Sequence, residues 1–348
     1  MSADRLYVRT DATPDTGLGH FMRCLAIAQA WRDHGDPVTF IGRYAPALEA
    51  LLGDEGIARV DVARRHPDPE DLATTLARVP TSAVVVLDGY AFDAGFQRRL
   101  GEHRRLLVID DVGDRATYAG FALLNPNVDA ASVRYRSAPT QRLLGGRYAP
   151  LRRAFRQRAA ELRRMALRTT ASVAGGTMLV SLGGADVDNH TLRLLRCLVA
   201  TPDDAAAIRA VVGPLNPHVA ALEAFAAEHP TVELVVAPTD LLERLCAADV
   251  VIAAAGSISA ELAALGVPAL LFAVADNQRL VGPALQRAGA AAFGGDLRAL
   301  DDAALAATVT NTLRDVPALA AMRERGPSLI DGQGALRVCD FLRNGKAS

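Results

Sequence analysis

The chain has almost no lysine. Of its 38 basic residues 37 are arginine, and the single lysine, Lys346, is the third residue from the end. A P-loop needs a lysine under its phosphates, pyridoxal phosphate needs one for its Schiff base, and protein kinases need one on a strand. All three chemistries are excluded. A phosphate handled by this chain must meet arginine, protonated histidine or the N-terminus of a helix. Cysteine is nearly as scarce. The four, Cys24, Cys197, Cys246 and Cys339, are far apart and form no C-x-x-C pair, which argues against a zinc cluster and a disulfide framework. Cys24, Cys197 and Cys246 lie in apolar helical patterns and read as buried hydrophobes. Net charge is also missing: 38 basic residues against 39 acidic give −1, which leaves no global field for nucleic acid or an anionic membrane surface. No apolar run approaches 18 residues, and MSADRLYVRTD has no basic-then-apolar leader. These absences predict a cytoplasmic protein with no integral membrane segment, no nucleic-acid partner and no bound metal.

What is present is hydrophobic material in alternating blocks. Half the residues are hydrophobic and 22% are charged, a composition that folds, and 348 residues suit two domains. In the first half Leu6–Asp11, Val38–Gly42, Ala83–Asp88 and Leu106–Asp110 read as strands. Gly19–Asp33, Ala45–Gly56, Glu70–Arg78 and Phe92–His103 read as helices. The second half repeats the design, with strands at Thr177–Gly183, Ile208–Gly213, Val232–Ala237, Val250–Ala254 and Ala269–Val274. Runs such as VVVLD and VVIAA are continuous and β-branched, as expected of a parallel sheet covered on both faces. An arginine-rich helix at Leu151–Arg168 and a small-residue linker at Thr169–Gly176 separate the halves. The expected architecture is α/β: two Rossmann-like parallel-sheet domains, 1–168 and 169–348, with the last helices free to pack back on the first. The default ligand site is a crevice at the carboxyl ends of the strands.

The polar signals fall at strand-to-helix turns. Gly17 and Gly19 precede His20 at the start of the first helix. A helix start disfavours a cation, so the neutral ring, a general base, is favoured there. The pattern is G-x-G-H rather than G-x-G-x-x-G, and no acid ends the second strand, so a dinucleotide fingerprint fits poorly. Asp88 and Tyr90 follow the VVVL run. Asp110 and Asp111 end the next strand, where paired acids suggest acid–base work but are common structurally. Gly183 and Gly184 give a turn whose amides can hold a diphosphate, and Gly256, Ser257 and Ser259 offer amides and hydroxyls to phosphate. Glu261 can accept two ribose hydroxyls; its alternative is a capping box. Asn277 and Gln278 carry amides that can reach a sugar or base. Arg9, Asp11, Arg23, Asp88, Asn125 and Gln278 are the candidates for holding the sugar.

These segments occur in an order that resembles the PseG/SpsG family: RTDATPDTGLGHFMRCLAIAQAW, LDGYAFD, LLVIDD, LLNPN at Leu123–Asn127, LLGGRYAPLRRAFR, LVSLGGADVDN, AAAGSISAELAALGVPALL and DNQ. The resemblance spans about residues 5–340. It implies a GT-B fold and hydrolysis of a UDP-2,4-diacetamido-2,4,6-trideoxy sugar, toward a pseudaminic-type acid or a surface polysaccharide. On this likeness His20 is the base that activates water, while Tyr90 and Asn277 position water and sugar. Gly19, the two glycine turns, Ser257, Ser259 and Glu261 hold UDP. Attack inverts the anomeric carbon, without metal or cofactor. The chain departs from the family pattern at Gly89 and Ile258, where relatives carry polar side chains. A GT-B glycosyltransferase using the same pocket on an acceptor hydroxyl is the second expectation, and a non-catalytic binding protein the third.

Overall fold

The computed structural model describes residues 5–13, 16, 18–165, 176–184, 186–200, 207–213 and 216–345. Gly17, Lys346 and linker residues 169–175 lie outside them. Two compact units are formed, the first by residues 1–153 with 332–348 and the second by 154–331.

The first unit is a seven-stranded sheet, every pair parallel, in the order β3-β2-β1-β4-β5-β6-β7. Its strands are β1 (Leu6–Arg9), β2 (Val38–Gly42), β3 (Ala58–Asp61), β4 (Val84–Asp88), β5 (Arg105–Ile109), β6 (Ala122–Asn125) and β7 (Gln141–Leu144). Parallel neighbours need crossovers. Here α1 (Gly19–Asp33), α2 (Pro46–Asp54), α3 (Pro69–Arg78) and α4 (Ala94–Gly101) supply those from β1 to β5, and segments with no α-helix connect β5 to β6 and β6 to β7. Asp68 and Asp93 cap α3 and α4, accepting the amides of Glu70 and Phe96. Residues His20, Phe21 and Cys24 to Trp31 are all buried, because α1 lies between the sheet and α13 (Gly334–Asn344). Arg343 of α13 stacks 4.2 Å from the Trp31 ring, and Arg105 donates to the carbonyls of Leu342 and Arg343.

The second unit is a six-stranded parallel sheet in the order β10-β9-β8-β11-β12-β13. Its strands are β8 (Thr177–Ser181), β9 (Ala207–Val212), β10 (Val232–Val236), β11 (Val250–Ala254), β12 (Ala269–Ala273) and β13 (Ala292–Asp296). The helices are α6 (His190–Ala200), α7 (Val219–Glu228), α8 (Leu241–Ala247), α9 (Ile258–Leu265), α10 (Val281–Arg287), α11 (Asp302–Arg314) and α12 (Val316–Leu329), after α5 (Arg153–Met165). Gly266, at φ +61, ends α9 in the left-handed conformation that glycine adopts at least cost.

The boundary differs from the expected residue 168. Arg153 donates to the side chains of Asp33 and Glu55, which tie it to the first unit, while Arg163 of the same helix donates to the carbonyl of Asp331 in the second. Four strands also lacked a sequence signal. β3 is a largely exposed run, ARVD; β7 is an edge with two exposed residues; β13 carries two glycines; and β6, though buried, has only four residues. In both sheets the order reverses beside the first strand, between β1 and β4 and between β8 and β11. Such a switch point opens a crevice at the strands' carboxyl ends.

Candidate functional site

At the first switch point the α1 spacing does the assembling. His20, Arg23 and Cys24 are three and four residues apart, so they share one helix face, and all three reach Asp88 at the end of β4. His20 Nδ1 lies 2.7 Å from Asp88 Oδ1. Arg23 grips the same carboxylate in a fork, Nε to Oδ2 at 2.6 Å and Nη2 to Oδ1 at 2.8 Å. The Cys24 thiol donates to Oδ2 at 3.6 Å. Arg23 Nη1 then extends to Asp111 Oδ2 at 2.6 Å, and the Tyr90 hydroxyl donates to Asp111 Oδ1 at 2.9 Å. The Tyr90 ring returns to His20 edge-on, centroids 4.6 Å apart.

The protonation states follow from this packing. Burial raises the Asp88 carboxyl, but Arg23, helped by His20, outweighs it and holds Asp88 well below the ordinary carboxylate range. Burial also opposes the Asp111 charge, and Arg23 again lowers it overall. Burial pushes the Cys24 thiol well up, so it stays protonated. An ionised carboxylate only accepts hydrogen bonds. Asp88, at 2.7 Å, favours the proton of a neutral His20 ring on Nδ1 over the Arg23 Nη2 donor 3.1 Å from the same nitrogen, and that tautomer leaves the lone pair on Nε2. With His20 neutral, the two carboxylates and one guanidinium carry one surplus negative charge; a proton on the ring cancels it.

Several expected sugar ligands sit elsewhere. Arg9 is fully buried, paired with Asp71 and Asp11 and stacked 4.6 Å from the Phe92 ring. A guanidinium so enclosed supports the sheet rather than meeting a ligand. Asp11 accepts from Arg9 and from the Arg43 amide. Asn125 is buried, donating to Tyr135 and accepting the Asn127 amide. Asp88 has no exposed surface and meets His20, Arg23 and Cys24 instead of a sugar. Arg23 is largely buried and committed to two carboxylates. Asp111, by contrast, enters the cluster. Its neighbour Asp110 does not: burial raises its carboxyl, and it accepts from the amides of Val112 and Gly113 and the Tyr118 hydroxyl. The paired acids divide into one that shapes a loop and one that joins the centre. Among the described residues no group of three or more His, Cys, Asp or Glu side chains is arranged to hold a metal.

At the second switch point Gly183, at φ +102, turns the chain after β8, in a backbone region open to glycine. Asp186 then accepts the amides of His190 and Thr191, so a carboxylate already occupies the α6 N-terminus. The α9 N-terminus differs. Ser257 is its cap residue yet makes no side-chain capping bond. Ser259 Oγ is buried with no hydrogen-bond partner in the structure. A side chain on Gly256 would meet only Gln278 Nε2, at 3.7 Å. Gln278 Oε1 accepts the Val274 amide, which fixes the turn that carries Asn277. Arg298 and Arg279 pair with both Asp276 and Asp296 beside it. Glu261, in the first turn of α9, is 7% exposed. Gly19 opens α1, where an added Cβ would meet nothing within 4 Å.

No family model matches the chain. In sequence it is similar to the spore coat polysaccharide biosynthesis protein SpsG of Bacillus subtilis, 25% identical over 168 residues, 48% of this chain and 50% of that protein. The match thus spans half the length of the relative. Three solved structures resemble it over nearly the whole chain. MurG of Acinetobacter baumannii has a TM-score of 0.64 at 17% identity, covering 98% of this chain and 99% of that one. The calicheamicin glycosyltransferase CalG4 has 0.62 at 14%, covering 99% and 98%. Anabaena HepE in complex with UDP-glucose has 0.60 at 13%, covering 98% of both. The fold is GT-B, and about half of the chain resembles SpsG in sequence. As a GT-B chain it carries two sheets of the same handed order, each with its own switch point. No helix among the described residues is long and apolar enough to cross a membrane.

Proposed function

We propose that this SpsG-like GT-B chain is an enzyme of polysaccharide or surface-sugar biosynthesis that hydrolyses a UDP-sugar. One observation carries the reading: His20 at a helix start, its Nδ1 held by the buried Asp88 and its ring flanked by Tyr90. Nε2 takes a proton from water as the oxygen attacks the anomeric carbon from the face opposite UDP. The C1–O bond to UDP breaks with its electron pair, and the centre inverts. The proton on His20 neutralises the cluster of Asp88, Asp111 and Arg23. Tyr90 donates its hydroxyl hydrogen bond to Asp111, so toward the attacking water its oxygen acts as an acceptor. Asn277 orients the sugar. General-base help of this kind is worth about 10²–10⁴-fold.

The leaving diphosphate is assigned to the α9 N-terminus, which the Ser257 side chain does not cap, with Gly256, Ser257 and Ser259 around it and the Gly183–Gly184 turn beside. The positive end of the helix dipole favours an anion there, and the unpaired Ser259 hydroxyl supplies a donor. Glu261 accepts ribose hydroxyls. Glu261→Ala is expected to weaken UDP binding about 10–100-fold, the cost of losing charged hydrogen bonds of about 1.5–3 kcal/mol. Titration calorimetry with UDP checks this; an unchanged affinity removes Glu261 from the site.

A second reading is transfer of the sugar to an acceptor hydroxyl, with His20 as base on that hydroxyl. The likeness to proteins such as CalG4, named a glycosyltransferase, favours it. Incubation with a panel of UDP-, GDP- and CDP-sugars, with and without candidate acceptors, separates the two. Free reducing sugar released in water alone supports hydrolysis, and turnover confined to acceptor-containing mixtures supports transfer. No turnover and no UDP binding would overturn both.

A further inference from the structure

The five groups at the first switch point close into a ring. His20 bonds Asp88, Asp88 bonds Arg23, Arg23 bonds Asp111, Asp111 bonds Tyr90, and the Tyr90 ring returns to His20. Asp111 is the one member that touches neither His20 nor the carboxylate behind it. It nevertheless holds two others. One oxygen fixes Arg23 Nη1 and the other fixes the Tyr90 hydroxyl, from a position just beyond the end of β5. We infer that Asp111 is a positioning residue for the His20 base. It locks the Arg23 fork onto Asp88, aims Tyr90 along the ring edge, and supplies the second negative charge that offsets the proton His20 takes up. The inference rests on the reading of His20 as a base.

The charge argument depends on everything that faces the ring. On α1 these are Arg23 and the protonated Cys24; at the end of β4, Asp88 and Tyr90; after β5, Asp110 and Asp111, with Arg115 near Asp110 and donating to the Tyr90 carbonyl. Arg115 offsets Asp110, and Arg23 offsets Asp88. Asp111 is the charge left to balance a protonated ring. Removing it leaves Arg23 against Asp88 alone, and a proton on His20 then adds an uncompensated positive charge in a buried place.

Asp111→Asn keeps the shape and removes the charge. In the full chain the expected result is a His20 ring titration, followed by NMR, that moves to lower pH by about one unit. The acid limb of the pH–rate profile moves the same way, and kcat falls by about tenfold or more with KM within about threefold. Tyr90→Phe retains the charge and leaves the titration in place. Asp111→Glu also retains the charge but displaces both hydrogen bonds, so kcat falls while the titration holds; it decides the matter if D111N does not fold. A D111N titration within about 0.3 unit of wild type, or D111E at full kcat, overturns the inference. The ring titration needs no turnover. Absence of activity on every UDP-sugar therefore counts against the proposed function, and an unmoved titration counts against Asp111.

Discussion

His20→Ala is expected to lower kcat by about 10²–10⁴-fold while UDP affinity stays within about twofold. The size follows from what the side chain is asked to do. Water is a poor nucleophile at neutral pH, and only a base in hydrogen-bond reach can remove its proton as the new bond forms. On the proposed reading the base is prepared by Asp88, whose carboxylate lies 2.7 Å from Nδ1 and favours one tautomer and ring plane. Asp88→Asn tests that preparation separately. The amide can offer Nδ1 a proton as readily as accept one, which drives the ring proton to Nε2 and leaves no lone pair for water. A loss of about 10²-fold or more is expected, without loss of UDP binding, by analogy with other oriented histidine bases. The unaltered UDP affinity is as informative as the lost rate, because the diphosphate is assigned to residues other than His20. Titration calorimetry and a coupled UDP-release assay on the same preparations give both numbers. H20A at near-wild-type kcat would remove the base from the mechanism.

The parts of this centre that the sequence announces are those made by local spacing. Continuous β-branched runs such as VVVLD and VVIAA mark β4 and β11, because a strand covered on both faces has no polar alternation to hide it. The G-x-G-H turn puts His20 at a helix start, and three residues of helix bring Arg23 to the same face. What spacing does not carry is which distant group meets it. Arg9 stands at a strand end before a glycine turn, where a cation suggests a ligand. Its fate is decided by Asp71, 62 residues later, which is invisible in the local pattern. Asn125 misleads in the same way, through Tyr135. Asp111 is undervalued because adjacent acids at a strand end look alike in sequence. Only the direction of each side chain separates Asp110, turned into its loop, from Asp111, turned to Arg23. The short or exposed strands β3, β7 and β13 are silent because pairing with a neighbour, rather than their own hydrophobicity, makes them strands.

Asp71→Ala is expected to destabilise the first unit by about 3–5 kcal/mol, a large share of the stability of an ordinary domain. Neither Arg9 nor Asp71 has any exposed side-chain surface. Burial alone would lower the Arg9 guanidinium, and Asp71 with Asp11 more than restores it, so it stays charged. Asp71 is spoken for by Arg9 Nε, the His66 amide and the Thr75 hydroxyl, which stitch β1 to the start of α3. Removing the carboxylate leaves the buried Arg9 with Asp11 as its remaining carboxylate partner and strands the Arg9 Nε, the His66 amide and the Thr75 hydroxyl, which is why the loss exceeds that of a surface pair. Urea denaturation read by tryptophan fluorescence suits the test, since Trp31, the sole tryptophan, lies in this unit's core. A shift below about 1 kcal/mol would refute the structural role. The double variant Arg9→Met with Asp71→Leu replaces the pair by apolar groups and is expected to recover the part of the loss due to the buried cation, because the net worth of a buried ion pair over a well-packed apolar one is small, while the His66 amide and the Thr75 hydroxyl still lack the Asp71 acceptor. That same variant decides what Arg9 does for the substrate. A sugar ligand cannot be exchanged for methionine without raising KM, whereas a buried support can. Wild-type KM in the stable double variant would leave the sugar to groups at the mouth of the sheet, with Tyr90 foremost.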